Sequence, residues 1–508
     1  MTDILIIGGG TAGCVLARRL TDNSDLNVSL IEAGRDSDLP EVRNPRRWLE
    51  LPKSAVDWGY RTTPQKNTSG REHPMPRGLL LGGSGSINAM AHVRGHPSDF
   101  DLWVEMGCHG WGYQDLLPYF RRSESSSYSS PRYHGESGPL HLIQPVAPHP
   151  ITQCYLQAVE DLGYQAIPEH NAASMVGPTL NTLTIKDGER FSVYDAYLGS
   201  VRSRPNLEVI DQCLVDKLLF DQVNQCRGVS VIRSGQVLEI WADAAVVLCA
   251  GTVGSPQILM RSGIGCSETL ESIDIPVLAD SPNVGENLHD HLLGAGNVYL
   301  SKRKVPTSAY QHSESLFYTG SQSGKEAPEK VIACVSLPVV SEMFEAPEVG
   351  DAYTLLYGFT SPRSRGSVRL TSADPTIHPL IDPAYLSSDY DRLVFSQALD
   401  LSREIGSSDA FRDWRLKELL PGASIKTSQN KSVFNSNAAW SHHHPVGTCS
   451  MGSDSNSVVS LDLAVNGVER LFVVDGSIIP QITTGPVNAA IIAIAEKAAD
   501  LLEHQLES

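Results

Sequence analysis

The chain has 508 residues, of which 40 are Lys or Arg and 58 are Asp or Glu, for a formal charge of −18. That length exceeds one ordinary core and points to two or three units able to enclose a large cofactor. The acidic balance excludes a role that needs a basic face to displace counterions, so no nucleic-acid partner is expected.

The opening "MTDILIIGGG" has a short apolar run without a basic flank, which is not the pattern of a secretory signal. No stretch of ~18 uncharged apolar residues occurs, so no membrane span is expected. Cysteines stand at 14, 108, 154, 213, 226, 249, 266, 334 and 449, odd in number and never as CxxC. Neither a disulfide framework nor a thiolate metal site follows, and a reducing, cytoplasmic location is expected.

Residues 4–31 read as strand, glycine turn, helix and second strand. Ile4 to Ile7 form a continuous apolar run suited to a buried parallel strand, and Ala12 to Leu20 repeat apolar residues at helical spacing. Gly8, Gly10 and Gly13 between them match GxGxxG: a tight turn, close approach of backbone to a pyrophosphate, and close packing of helix on strand. The helix N-terminus offers unpaired N–H groups to phosphate. Glu32, ending "VSLIE", is placed to accept hydrogen bonds from both hydroxyls of an adenosine ribose. An acid there disfavours a 2′-phosphate and leaves NAD or FAD.

Residues 77–103, "RGLLLGGSGSINAMAHVRGHPSDFDLW", place Gly82, Gly83 and Gly85 among serines, where backbone can pass close to a flat or anionic group. With Asn88, this stretch resembles the first signature of the glucose–methanol–choline (GMC) flavin oxidoreductases. The resemblance recurs in order along the chain: "CAGTVGSPQILMRSGIG" (249–265), "VGENLHDH" (284–291), "LFVVDGSIIP" (471–480) and "NAAIIAIAEKAADLL" (488–502). It implies an α/β fold with a Rossmann-like FAD-binding domain and a second, substrate-binding domain built on an antiparallel sheet with helices. It further implies that FAD contacts Gly8, Gly10, Thr11, Ala12 and Gly13 at the first turn and Glu32 and Ala33 after the second strand. Gly82, Gly83, Ser84, Asn88 and Ala89 are the implied contacts of the second glycine loop, followed by the Val215 backbone, Ala250 and Gly251, Asp475 and Gly476, and Asn488.

Two departures from the family pattern matter. Members that tether FAD carry histidine just before the asparagine of the glycine motif, whereas Ile87 stands here, so FAD is expected to be held without a covalent bond. Gly85 occupies a position where serine is commoner.

The serine-rich segment 122–140 reads as a connection. "GERFSVYDAYL" (188–198) followed by "RPNLEV" is most similar to alcohol, choline and aromatic-alcohol members of the family. Residues 205–220 alternate as strands do. The polar stretch 303–330 has few apolar residues in any helical register and reads as a lid or an ordinary surface loop. The alternation in 350–362 and 365–372 suggests an antiparallel sheet. The FAD domain is therefore expected in three pieces, 1–145, 186–292 and 441–508, with the substrate domain in 146–185 and 293–440.

Residues 441–452, "SHHHPVGTCSMG", carry three consecutive histidines. Three neighbours in a loop cannot all turn to one tetrahedral ion, and no cysteine or carboxylate stands at ligand spacing, so no metal is expected. Pro445 biases His444 toward an extended conformation. By resemblance His444 is the catalytic base, with Asn488 as the partner that holds the substrate oxygen and His442 as a flanking substrate contact. His442 and His443 otherwise flank the site or face solvent. An imidazole of ordinary pKa ~6.5 suits a base working near neutrality. Asn488, ahead of a long apolar helix, also reads as an N-cap.

The expectation is FAD-dependent oxidation of a small primary alcohol to its aldehyde, aromatic by preference and choline next, with oxygen or an electron carrier as acceptor. The rival readings are a hydroxynitrile lyase on the same scaffold and an NAD-dependent dehydrogenase; the latter leaves the later flavin motifs unexplained.

Overall fold

The structure, a computed structural model, describes residues 2–126, 130–320 and 326–507. A five-stranded sheet forms the floor of the site, in the order Leu471–Val473, Ala245–Leu248, Ile4–Ile7, Val28–Ile31, Leu207–Ile210, with every pairing parallel. Ile4 to Ile7 are at most 2% exposed, the continuous apolar run that a strand covered on both faces requires. From Ile4–Ile7 the chain first builds outward through Val28–Ile31, then returns to the opposite side with Ala245–Leu248. The order reverses there, and in open parallel sheets a crevice opens beyond the carboxyl ends of the strands at such a point.

Helix α1 (Thr11–Leu20) follows the first strand and α2 (Gly251–Arg261) follows Ala245–Leu248. The final helix, α4 (Asn488–Glu507), is apolar all round over residues 489–495, where Ile492, Ala493, Ile494 and Ala495 are fully buried. An all-round apolar helix must lie in a core. It packs on α1, where Arg19 bridges Glu496 and Asp500. Among the described residues no helix is long and apolar enough to cross a membrane.

A second, eight-stranded antiparallel sheet runs Arg415–Leu420, Val298–Ser301, Ala352–Phe359, Lys330–Val335, Ser315–Thr319, Gly177–Leu180, with Leu292–Gly294 and Ala439–Ser441 paired alongside. Helix α3 (Asp389–Ser407) covers one face, burying Phe395 and Leu399 against Tyr353, Leu355 and Tyr357. The stretch 205–220 divides into two strands, Leu207–Ile210 in the parallel sheet and Leu214–Phe220 in a separate three-stranded sheet. Of the alternating segments, 350–362 contains the fully buried strand Ala352–Phe359, but 365–372 lies outside the large sheet, its strand Ser367–Arg369 pairing only with Leu380–Asp382.

The reading of 303–330 as a lid or surface loop is corrected over much of its length. Ser315–Thr319 is an interior strand buried at every position, and Gln311 and Glu314 are buried as well. Its Leu316, Phe317 and Tyr318 are consecutive, a short continuous apolar run of the kind a strand covered on both faces carries, which a search for helical registers passes over. Residues 321–325 of that stretch, and 127–129 of the serine-rich connection, lie outside the described residues.

That connection also carries something the sequence did not advertise. Glu124, fully buried, takes hydrogen bonds from Arg94 Nε and Nη2 and pairs with His92 and His134. Burial pushes its carboxyl up, but Arg94, His134 and His92 together outweigh that and hold it well below the usual range.

Candidate active site

One cavity of about 590 Å³ runs from the parallel sheet to the antiparallel one. Its first end is made by chain turns at the switch point. Ile7 and Leu248 end neighbouring strands, and the Cys249 N–H donates to the Ile7 carbonyl at 2.7 Å. Gly8 has φ of +105°, and a Cβ there would lie 2.4 Å from the Cys249 carbonyl oxygen, so only glycine fits. Gly10 and Gly83 meet across the cavity wall: a Cβ on Gly83 would stand 2.8 Å from the Gly10 Cα. This cradle is the space a pyrophosphate needs, at the N-terminus of α1.

Gly8, Gly10, Thr11 and Ala12 line the cavity, as do Glu32 and Ala33. Gly83, Ser84, Asn88 and Ala89 line it from the second glycine loop, Val215 from the strand Leu214–Phe220, and Ala250 and Gly251 from the start of α2. Gly13 and Gly82 do not. Gly13 lies behind the turn, where a Cβ would come within 2.0 Å of the Gly8 oxygen, and the Gly82 N–H is used on the Gly9 carbonyl at 2.7 Å. Both shape the cradle without facing into it.

Glu32 is buried, its oxygens taking the N–H groups of Gly9 and Gly34 at 2.8 Å each. Burial outweighs these bonds and pushes its carboxyl up to about 7. Asp475 Oδ2 accepts from the Gly251 N–H at 2.8 Å and the Ser255 hydroxyl at 2.5 Å, tying the start of α2 to Gly476, which also lines the cavity.

Asn488 and His444 both line the same cavity. Asn488 is the first residue of α4 (Asn488–Glu507), not a cap ahead of it. Its Oδ1 accepts from the Thr11 hydroxyl at 2.7 Å, which joins the N-termini of α1 and α4 and leaves the amide NH₂ to donate elsewhere. Gly85 is accounted for by the same contact, since a Cβ there would crowd Thr11 Oγ1 at 2.9 Å.

All three histidines of the triplet line the cavity and none is exposed, so the alternative that His442 and His443 face solvent is set aside. His443 adopts φ of +65°, a left-handed conformation costly for a residue with a Cβ. Its N–H donates to Ser441 Oγ at 2.8 Å, and its carbonyl accepts from Arg77 Nη2 at 2.7 Å. Asp290 holds the loop from the other side: Oδ1 takes the His444 N–H at 2.7 Å, and Oδ2 takes the hydroxyls of Ser441 and Tyr385 at 2.6 Å each. The His444 imidazole does not keep an ordinary pKa. Burial first, then His442 and His291, push it well below 6.5, so it is neutral throughout the physiological range.

His291 is the functional neighbour that sequence reasoning missed, although it stands in "VGENLHDH". Its Nδ1 lies 3.0 Å from His444 Nδ1, and its Nε2 lies 2.9 Å from the Thr360 carbonyl. His291, His442 and His444 bring nitrogens within 4.8 Å of one another. The premise that consecutive residues cannot converge therefore missed a trio built from two members of the triplet and a third histidine from another segment. Leu316, Ala333, Val335, Leu356 and Trp440 form an apolar wall at this end.

Models of GMC oxidoreductase match residues 2–293 and 362–495. The chain is 41% identical over 501 residues to pyridoxine 4-oxidase of Microbacterium luteolum, covering 97% of this chain and 98% of that one. It is 36% identical to mitochondrial choline dehydrogenase of Mus musculus, covering 98% and 89%. A crystal structure of pyridoxine 4-oxidase from Mesorbium loti superposes with a TM-score of 0.96 at 43% identity, covering 99% of each chain.

Proposed function

The chain belongs to the GMC oxidoreductase family of FAD-dependent enzymes that oxidise alcohols, and from that premise we propose that it oxidises pyridoxine or a closely similar aromatic primary alcohol to the aldehyde. The observation that carries this reading is that one cavity is lined by the glycine cradle and Glu32, by Asn488 beside Thr11, and by His444. Gly8, Gly10, Gly83 and Glu32 would hold the adenosine and pyrophosphate of FAD, and Asp475, Gly251 and Asn88, which line the same cavity, would hold the rest. FAD, when bound, supplies the hydride acceptor.

The neutral His444 imidazole takes the hydroxyl proton as hydride leaves the carbon. The Asn488 amide donates a hydrogen bond to the substrate oxygen without titrating. The N-terminus of α4 directs its positive end to the same place, favouring negative charge that develops there. Leu316, Ala333, Val335 and Trp440 offer an apolar slot for a ring and keep water from the reacting atoms. Ile87, packed with Val42, Leu51, Val56 and Leu80, has no nucleophilic atom and supports a non-covalent cofactor. The trio of His291, His442 and His444 is read as a hydrogen-bonded base assembly and not as a metal centre, because the Nδ1 atoms of His291 and His444 are spent on each other. The division into an FAD domain and a substrate domain, a reducing cytoplasmic compartment and oxygen as acceptor complete the proposal; the nine free cysteines and the oxidase named among the relatives support the last two.

Purified enzyme mixed anaerobically with pyridoxine, benzylic alcohols and choline tests it. Bleaching of the flavin by an aromatic primary alcohol is expected, slowed about 10²- to 10⁴-fold in His444→Ala. Bleaching by choline alone overturns the substrate class, and failure of every alcohol moves the protein to the lyase reading. Prompt recolouring in air is expected of an oxidase, and recolouring only with added carriers overturns that part. Yellow colour retained by acid-precipitated protein overturns non-covalent binding.

A further inference from the structure

We propose that His291 is a positioning residue that holds His444 in the tautomer protonated on Nδ1, so that Nε2 is the bare nitrogen that receives the substrate's hydroxyl proton. The proposal rests on the reading of His444 as the base.

The argument starts at Thr360. A backbone carbonyl only accepts, so the hydrogen bond at 2.9 Å requires the proton of His291 to be on Nε2. Burial pushes the His291 imidazole down to about 4, so it carries that one proton at neutral pH and its Nδ1 is a bare acceptor. Facing it at 3.0 Å is Nδ1 of His444. Two bare nitrogens would repel, so His444 Nδ1 must donate. A neutral ring has one N–H, and the remaining nitrogen, Nε2, is left with its lone pair free.

The geometry is held from every side. Thr360 follows the buried strand Ala352–Phe359 and is 1% exposed. The two rings meet edge to face at 5.3 Å and 85°. Asp290, the residue before His291, fixes the His444 backbone through its N–H, while His291 fixes the ring. The arrangement also survives the reaction. Once Nε2 has taken a proton, the imidazolium still donates from Nδ1 to His291, and no ring flip is required to return to the starting state. Without the acceptor the two tautomers compete, and those protonated on Nε2 are idle.

Histidine labelled with ¹⁵N in the holoenzyme reads the tautomer directly, with His444 assigned by its loss in His444→Gln. Its Nδ1 is expected to be protonated and its Nε2 bare, and His291→Leu is expected to mix the two forms. At equal flavin content, anaerobic flavin reduction in His291→Leu should slow roughly 10- to 100-fold, the usual effect of removing a group that orients a histidine, with substrate affinity little changed. His291→Asn, whose Oδ1 can replace the Nδ1 acceptor, should recover much of the loss. A His444 proton on Nε2 in the parent enzyme overturns the proposal, as does parent-like reduction in His291→Leu or an Asn variant no faster than the Leu variant. The first measurement needs no variant of His291 to fold. If His444→Gln itself reduces flavin at the parent rate, the base assignment fails and takes this proposal with it, an outcome separate from failure of His291 alone.

Discussion

Cofactor capture should release a proton, and Glu32 is the group that releases it. Its carboxyl is raised from 4.5 to about 7, burial outweighing the hydrogen bonds from Gly34 and Gly9. In flavin-free protein the sign follows directly. A carboxyl whose folded pKa exceeds its unfolded one stabilises the fold below pH 4.5, and that contribution is lost as pH rises toward 7. The displacement corresponds to about 3 kcal/mol. Ribose hydroxyls donating to Glu32 favour the ionised form, so below about pH 7 binding must expel the proton and affinity should fall about tenfold per pH unit. Flavin fluorescence quenching on deflavoprotein from about pH 5.5 to 8.5, with proton counting by calorimetry in buffers of different ionisation enthalpy, measures both. Glu32→Gln should flatten the dependence and bind more weakly at the alkaline end. A parent affinity flat across this range, or the same slope in Glu32→Gln, would refute the reasoning.

Other expectations concern the base and the scaffold. Because the His444 imidazole is held well below 6.5, the acid limb of kcat/KM should lie below that value, activity being lost only as pH falls through the lowered pKa; a limb at 7 or above in stopped-flow reduction would contradict it. Glu124→Ala leaves Arg94 buried without its carboxylate and should cost about 3–5 kcal/mol, read as a fall in thermal midpoint; a change under about 1 kcal/mol would show that the pair is not buried as described. Gly13→Ala drives a Cβ to 2.0 Å from the Gly8 oxygen, so α1 must move off the first strand, with about 1–3 kcal/mol or more of destabilisation and poor flavin retention; full flavin occupancy at the parent stability would contradict this.

What could be read from residues alone was whatever depends on local pattern. The run Ile4 to Ile7, the glycine spacing and Glu32 identify a parallel strand, a turn and an acidic end because each is set by neighbours within thirty positions. The resemblance then supplied His444 and Asn488, which the structure places on one cavity. What escaped was pairing across the chain. His291 and His444 are 153 positions apart, and nothing in "LHDH" says which of its groups faces another imidazole. The strand Ser315–Thr319 sat in a polar stretch, and its burial is decided by partners on both sides that only the folded sheet reveals. Glu124 looked like part of a solvated serine-rich connection until Arg94 was brought against it. The triplet itself misled by adjacency, since the assembly takes two of its members and leaves His443 to brace Arg77.

The hydrogen bond between Thr11 and Asn488 spans 477 positions, and it sets an order of events in the cell. At ~5–20 residues per second a ribosome needs on the order of half a minute or more to travel that distance. Throughout that interval the growing chain exposes the face of α1 that α4 later covers, and its parallel sheet lacks the edge strand Leu471–Val473. The nascent protein can shape the glycine cradle early, yet it cannot close the reacting end before its last segments emerge. The reacting end is therefore the last part of the molecule to take shape, because both α4 and the edge strand come from the final forty residues of the chain.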